Sequence, residues 1–163
     1  DVMKKILFFV VVGLITNGCT HLSKDSNFDK VEQTASSNEV NVVKSTFIQT
    51  VTFDKPQVFY NVVNSTGDIP KGFGKDATSW IRAYYAKCQT NVPTNPLYSV
   101  SDMDCGSSTK IVGGHVVTDQ SKTLAQPGQT VYIVPICKVE NSNIDPISIG
   151  YNKICAVAVD YRQ

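Results

Sequence analysis

His115 is the residue of this chain best suited to acid–base chemistry, because an imidazole titrates near neutral pH. Serines and aspartates that could complete a hydrolytic site lie close to it in sequence: Asp102, Asp104, Ser107, Ser108 and Asp119. The chain contains no G-x-S-x-G, no H-E-x-x-H and no glycine-rich phosphate loop. We therefore predict no catalytic residue and keep a small hydrolase using His115 as the less favoured hypothesis.

Two further groups of side chains suggest binding chemistry. Trp80, Tyr84 and Tyr85 recur at helical spacing, so they form either an aromatic recognition surface or part of a core, and a core is the more common outcome. Asp102 and Asp104 could bind Ca²⁺, but no further oxygen ligands follow at suitable spacing. We predict a solvated loop there, no metal site and no cofactor.

The first residues have the layout of a secretory signal peptide. Lys4 and Lys5 precede an apolar run from Ile6 to Ile15, and small or polar residues then lead to Cys19. Ten apolar residues are about half of the roughly twenty that a membrane-spanning helix needs. We expect translation to start at Met3 and residues 1–18 to be removed.

The pair Gly18-Cys19 resembles the end of the bacterial lipoprotein signal, in which a small residue precedes the lipid-accepting cysteine. Thr16 and Asn17 depart from the usual pattern of Leu followed by a small residue, and ordinary signal cleavage at the same junction remains an alternative. The resemblance implies that Cys19 is lipidated and anchors the chain stably in a membrane. Because Thr20 follows instead of Asp, it also implies the outer membrane of a Gram-negative envelope, facing the periplasm or the cell surface.

The four other cysteines predict two disulfides, since an even number in an exported protein indicates oxidation. The sequence alone allows three pairings. We favour Cys88–Cys105 and Cys137–Cys155, because both close short loops, each contributing about 3 kcal/mol. A zinc site is disfavoured because the chain has no C-x-x-C and no histidine at ligand spacing from a cysteine.

Charge argues against two classes of partner. After residues 1–18 are removed, the remaining 145 residues carry 13 basic and 13 acidic side chains, with Arg82 and Arg162 as the only arginines. A neutral chain without a basic patch is not expected to bind nucleic acid or anionic lipid headgroups. The expected partners are the membrane, through the anchor, and a protein of the cell envelope.

Composition divides the remaining chain into a linker and one domain. Residues 19–45 comprise the lipidated cysteine and a polar segment too poor in apolar residues to fold, a flexible tether reaching roughly 25–30 Å. Residues 46–163 are long enough for a single globular domain.

Periodicity within residues 46–163 predicts an α+β domain. A first strand is predicted near 47–53, a short helix near 56–65 (with a strand nearly as well supported) and a second helix from 76 to 88. Further strands are predicted at LYSVS, TKIVGGHVVTD, QTVYIVPICKV and YNKICAVAVDY, with Gly113-Gly114 as a bulge or bend and Pro135 marking an edge or bulge. The expected fold is an antiparallel sheet of four or five strands, with one or two short helices on one face, stapled by disulfides.

These observations together favour a non-enzymatic, outer-membrane-anchored lipoprotein that acts as a binding or structural component of a cell-envelope assembly, such as a secretion or conjugation apparatus. The first alternative is a periplasmic inhibitor or ligand-binding lipoprotein, and the second is the hydrolase using His115.

Overall fold

The computed structural model describes residues 43–75 and 77–162, which belong to one compact unit. The predicted signal peptide, Cys19 and the tether up to residue 42 lie outside the described residues. Within the described ranges, no helix combines the length and the apolar character needed to cross a membrane.

Within the described residues, seven strands form one mixed sheet. The strands are β1 (Lys44–Asp54), β2 (Val58–Asn61), β3 (Ile69–Lys71), β4 (Ile111–Val117), β5 (Thr130–Cys137), β6 (Ile147–Ser148) and β7 (Lys153–Asp160). Their spatial order is β3-β1-β7-β5-β4-β2-β6. Only β1 and β3 pair in parallel, and every other neighbouring pair is antiparallel. The fold is therefore α+β as predicted, with more strands than expected and with one parallel pair.

Helix α1 (Trp80–Lys87) covers one face of the sheet. Ser79 caps its first turn, since its side chain accepts from the backbone N–H of Arg82. The core beneath the helix combines large aromatics from the helix side with aliphatics from the central strands: Phe73, Trp80, Ala83, Tyr84, Val131, Ile133, Val157 and Val159. Burying each large side chain contributes about 1.5–3 kcal/mol, so this layer supplies much of the stability.

The opposite face is covered by loops, with Val100, Ile147 and Ile149 packing on Val134, Ile136 and Ile154. The loop holding Val100 is fixed to the sheet because its N–H donates to the Pro135 carbonyl and its own carbonyl accepts from Gly150, both at 2.8 Å. Strand β7 is therefore buried on both faces along most of its length. The short helix α2 (Lys138–Asn141) follows β5 directly.

Several predicted elements are confirmed and two are wrong. Strands β1, β4, β5 and β7 and helix α1 lie where the periodicity placed them. The helix predicted near 56–65 is instead strand β2 followed by turns, which is the alternative that its β-branched content supported. LYSVS forms no strand and contributes one isolated bridge, between Tyr98 and Asp104.

Gly113 and Gly114 serve packing and not a bulge, because β4 pairs with β5 in unbroken register from Ile111 to Val116. A Cβ on Gly113 would lie 2.6 Å from the backbone nitrogen of Ile81, and one on Gly114 would overlap the side chain of Ile136. The two missing side chains let α1 and β5 approach β4 closely.

Pro135 lies in the interior strand β5, at a point where β5 pairs with β4 but no longer with β7. The pairing of β5 with β7 ends at Ile133, while Pro135 stays opposite Gly113 of β4. The missing N–H therefore costs no ladder hydrogen bond on the β7 side.

The favoured disulfide pairing is wrong, although all four predicted cysteines are oxidised. The observed disulfides are Cys88–Cys155, with Cα atoms 5.8 Å apart, and Cys105–Cys137, with Cα atoms 5.3 Å apart. The first joins the end of α1 to the central strand β7, and the second joins the loop over the opposite face to the end of β5. Both link a covering layer to the sheet, so three-dimensional proximity outweighs the short loops that had favoured the other pairing.

Candidate functional site

His115 is buried in β4, with 5% of its surface exposed, and its Nε2 donates to Oδ2 of Asp68 at 2.8 Å. The hydroxyl of Ser45 donates to the same carboxylate oxygen at 2.6 Å. None of the neighbouring aspartates or serines considered from the sequence is its partner. Asp68 and Ser45 were missed because they lie 47 and 70 positions away and carry no motif.

Aromatic rings and backbone groups enclose this buried Ser45–Asp68–His115 cluster. The Trp80 ring lies edge-on to His115, with centroids 4.9 Å apart, and its Nε1 donates to the Asp68 carbonyl at 2.9 Å. Tyr161 contacts the other side of the imidazole, and the N–H of Arg162 donates to Ser45 Oγ at 2.8 Å. The cluster thus fixes β1, β4, α1 and the end of β7 to one another.

The order of the three groups differs from that of a hydrolytic triad. In a triad the imidazole lies between the hydroxyl and the carboxylate, so that it can take the hydroxyl proton. Here the carboxylate of Asp68 lies between Ser45 and His115, and both side chains bind the same oxygen. This geometry orients side chains and joins elements, and it offers His115 no route to the proton of Ser45.

The three predicted recognition aromatics do not share a surface. Trp80 and Tyr84 are buried in the core beneath α1, and Tyr85 alone is partly exposed. The Tyr84 hydroxyl donates to the Cys155 carbonyl at 3.1 Å, and burial raises the pKa of that phenol far above its usual value. Burial also raises the pKa of Tyr85, whose hydroxyl donates to the Pro96 carbonyl.

A second polar cluster holds α2 in place. One carboxylate oxygen of Glu140 accepts from the hydroxyls of Ser99 and Ser101, and the other accepts from the N–H of Cys137 at 2.7 Å. The carboxylate therefore caps α2 and joins it to the loop that covers the second core. All of its hydrogen bonds serve the fold.

The candidate functional site is a cleft of about 340 Å³ beside the end of β2. Its lining comes from residues 60–66, from Gln120 and Thr123 on the connection after β4, and from residues 141–144 after α2. Asn61 positions the two longer segments, because its Nδ2 donates to the carbonyls of Glu140 and Asn143, each at 2.7 Å. We call this feature the amide-lined cleft.

The chemistry of the amide-lined cleft is polar and uncharged. Every residue that lines it is an amide, a hydroxyl-bearing residue or an aliphatic, and no Asp, Glu, Lys or Arg takes part. At its rim Ile144 is 86% exposed and Val63 is 45% exposed. Such a site can exchange hydrogen bonds with a neutral polar ligand and cover an apolar group. The guanidinium of Arg162 donates to the carbonyls of Asn64 and Thr66, so one cation contacts the backbone of the lining without forming part of it.

No motif in the sequence marks the residues of the cleft. The only available signal was composition, since Asn and Ser are dense at Asn64-Ser65-Thr66 and at Asn141-Ser142-Asn143. Such composition is equally typical of turns, and nothing local shows that two turns 75 residues apart face each other.

Among residues 43–75 and 77–162, no group of three or more histidine, cysteine or acidic residues is placed to hold a metal ion. Asp104, which was considered as a cation ligand, accepts from the N–H of Gly106 within its own turn at 2.7 Å. The chain matches no protein-family model, no curated protein and no solved structure.

Proposed function

We propose that this chain is an exported, lipid-anchored protein whose domain works by binding another component of the cell envelope. The signal-like N-terminus and Gly18-Cys19 support the anchor. The two disulfides support an oxidising compartment, because such bonds persist in the periplasm and at the cell surface.

The surroundings of His115 favour binding over catalysis. A general base must reach the proton that it removes, and His115 is enclosed by Trp80 and Tyr161 with its Nε2 committed to Asp68. A hydrolase acting through His115 would need this core cluster to open. The hydrolase hypothesis is therefore the weakest of the three.

The observation that carries the binding proposal is the uncharged lining of the amide-lined cleft. Its amides and hydroxyls complement the backbone of an extended, uncharged peptide segment, and the exposed Ile144 offers that segment an apolar contact. A cleft of about 340 Å³ has room for only a few residues of a partner. We therefore propose that a short, neutral segment of an envelope protein binds there.

The anchor is tested on the processed protein from cells. We expect mass spectrometry to find an acylated Cys19 at the new N-terminus and the protein to partition into detergent. Cys19→Ser is the matched variant, and it should leave the protein in the aqueous phase. Wild-type protein with an unmodified Cys19 would contradict the anchor without bearing on the cleft.

The cleft is tested with a photo-crosslinking amino acid introduced at residue 144 of the full chain in intact cells. We expect a specific protein adduct at Ile144 and none at Val139, which is 66% exposed and outside the cleft. Asn143→Asp, which adds a charge to the lining, should reduce the yield of that adduct at position 144. Equal labelling from both positions, or no loss with the added charge, would contradict the proposal.

A small-ligand binder is the second candidate, because the same uncharged lining also suits a neutral sugar. Titrating the protein with neutral N-acetylglucosamine oligomers would distinguish the two. Saturable binding that Asn143→Asp removes, without any protein adduct at position 144, would favour the ligand-binding protein over the assembly component.

A further inference from the structure

Strand β1 leaves most of one edge of the sheet open. On its inner side it pairs with β7 from Thr46 to Asp54, but on its outer side β3 covers only Lys44–Thr46. Among the described residues, the outer backbone groups from Ile48 to Asp54 have no strand partner. Since alternate residues of an antiparallel strand direct both N–H and C=O away from their neighbour, about half of this stretch presents unpaired backbone groups.

Apart from Asp54 at one end and a bulge at Ile48 at the other, the open stretch lacks the usual features that prevent edge-to-edge pairing. Natural edges carry charges, prolines or very short strands, yet Ile48–Phe53 contains no charged residue and no proline. The stretch is rich in β-branched residues, and Ile48 is 47% exposed. Its one irregularity is the register shift between Phe47 and Gln49, at the end next to β3.

We propose that a second copy of this chain pairs with this edge, so that two β1 strands lie antiparallel about a two-fold axis and join two sheets into one. A two-fold axis perpendicular to the sheet keeps each side chain on its own face, so opposing residues differ by an even number. Within the open stretch from Ile48 to Asp54, one register pairs every residue: Val51 opposite Val51, Thr50 opposite Thr52, Gln49 opposite Phe53 and Ile48 opposite Asp54.

The ends of the open stretch fit this register. Each incoming strand ends at Asp54, because its chain turns away at Lys55–Pro56. The turn of the incoming chain lies beside Thr46, where β3 is already paired with β1. The incoming strand and β3 therefore bind different backbone groups of β1. An extended segment continuing beyond Asp54 would collide with β3.

Charge also favours a second copy as the occupant. Asp54 is opposite Lys153 of β7, whose ammonium lies 3.7 Å from its carboxylate. This pair is two residues from Thr52 and Cys155, so it lies on the face that α1 covers, and in a dimer Asp54 would contact Lys87 in addition to Lys153. In the dimer it lies across from Ile48, next to Phe47 of the other copy, and the ammonium of Lys87 rests 4.4 Å from the centre of that Phe47 ring. Lys87 forms no ion pair among the described residues, so the two-fold axis gives two new Asp54–Lys87 contacts.

The first test introduces one cysteine at the proposed axis of the full chain in cells. Two cysteines at position 51 would have Cα atoms about 4.5–5.5 Å apart, within the range for a disulfide. We expect Val51→Cys to give a reducible band at twice the monomer mass. Val139→Cys on α2, which is exposed, outside the cleft and away from the edge, should not. Circular dichroism of both variants checks that the fold is retained.

The second test exchanges the charges and follows self-association of the processed full chain in mild detergent by sedimentation. With two exposed ion pairs per dimer, we expect Asp54→Lys or Lys87→Glu alone to weaken association about fivefold and the double exchange to restore it. A monomer at all concentrations, a dimer without the residue-51 crosslink, or no recovery in the double variant would each overturn the proposal. The first of these is also the outcome if residues before Val43 occupy the edge themselves.

Discussion

Removing the side chain of Asp68 should destabilise the folded domain strongly. Its Oδ2 accepts from both Ser45 and His115 in the buried cluster, so Asp68→Ala leaves two buried donors without an acceptor. We expect a loss of about 3 kcal/mol in the free energy of unfolding, measured with urea. Asp145→Ala is the matched control, since Asp145 is exposed and binds only exposed Asn143; its cost should stay below about 0.5 kcal/mol.

Tyr84 should make the domain sensitive to alkaline pH. Because burial raises its pKa in the folded state, the unfolded chain ionises first, and the stability present below about pH 10 is lost as the pH rises further. The loss approaches about 1.4 kcal/mol per pH unit. Urea unfolding from pH 8 to 11 should therefore show a flatter profile for Tyr84→Phe, despite its lower stability at pH 8. Parallel profiles would contradict this assignment.

At the scale of single residues, the sequence predicts types of environment better than partners. The helical spacing of Trp80 and Tyr84 indicated a core, and both are buried. The partners of His115 could not be predicted, because Ser45 and Asp68 reach it only after β1 and β3 have paired. For the same reason the amide-lined cleft has no local signature.

At the scale of elements, the two glycines of β4 allow neighbouring elements to pack closely against this strand. In Gly113→Ala the new Cβ would overlap the backbone of α1 at Trp80 and Ile81, which cannot move without shifting the helix. We expect a loss of about 3 kcal/mol in the free energy of unfolding. Gly74→Ala is the control: its Cβ would meet no atom within 4 Å, so only its left-handed backbone, with φ of 90°, costs about 1 kcal/mol. Equal losses in the two variants would contradict the packing role.

Strong periodicity made the central elements predictable, and weak periodicity did not. β1, β5 and β7 are long and rich in β-branched residues, which identifies them without any tertiary information. Residues 56–65 carry apolar side chains at a spacing that also fits a helix, and the pairing of β2 with β4 and β6 decides for a strand. Strands β3 and β6, of three and two residues, are too short to give a pattern.

At the scale of the whole molecule, the order of the strands follows from contacts that are distant in sequence. Strands β1 and β7 lie at opposite ends of the domain's sequence and pair over eight positions. Loop closure favours short-range contacts, which is why the local disulfides seemed the better choice. The sheet reverses that preference, because it brings Cys155 on β7 directly beneath Cys88 of α1.

Removing each disulfide separately should therefore have distinguishable effects on the folded domain. Each closes a long loop, with sequence separations of 67 and 32, and chain entropy gives each about 4 kcal/mol, slightly more for the longer loop. Replacing Cys88 and Cys155 together by alanine frees the C-terminal end of α1 from β7. The first residue of that helix, Trp80, is the only tryptophan in the sequence and reports on how the helix packs. We expect that variant to shift the native tryptophan fluorescence as well as to lose stability.

The pair Cys105→Ala with Cys137→Ala is the comparison, because it releases the loop that covers the second core. These two cysteines pack against Ile81 of α1, whereas Trp80 itself belongs to the core beneath the helix. Its unfolding free energy should fall by a similar amount, while the native fluorescence shifts less than in the first variant. If both variants shifted the fluorescence alike, the two layers would not be held independently. Separate responses are expected because each disulfide fixes a different covering layer to one sheet, so that each layer can loosen while the other remains packed.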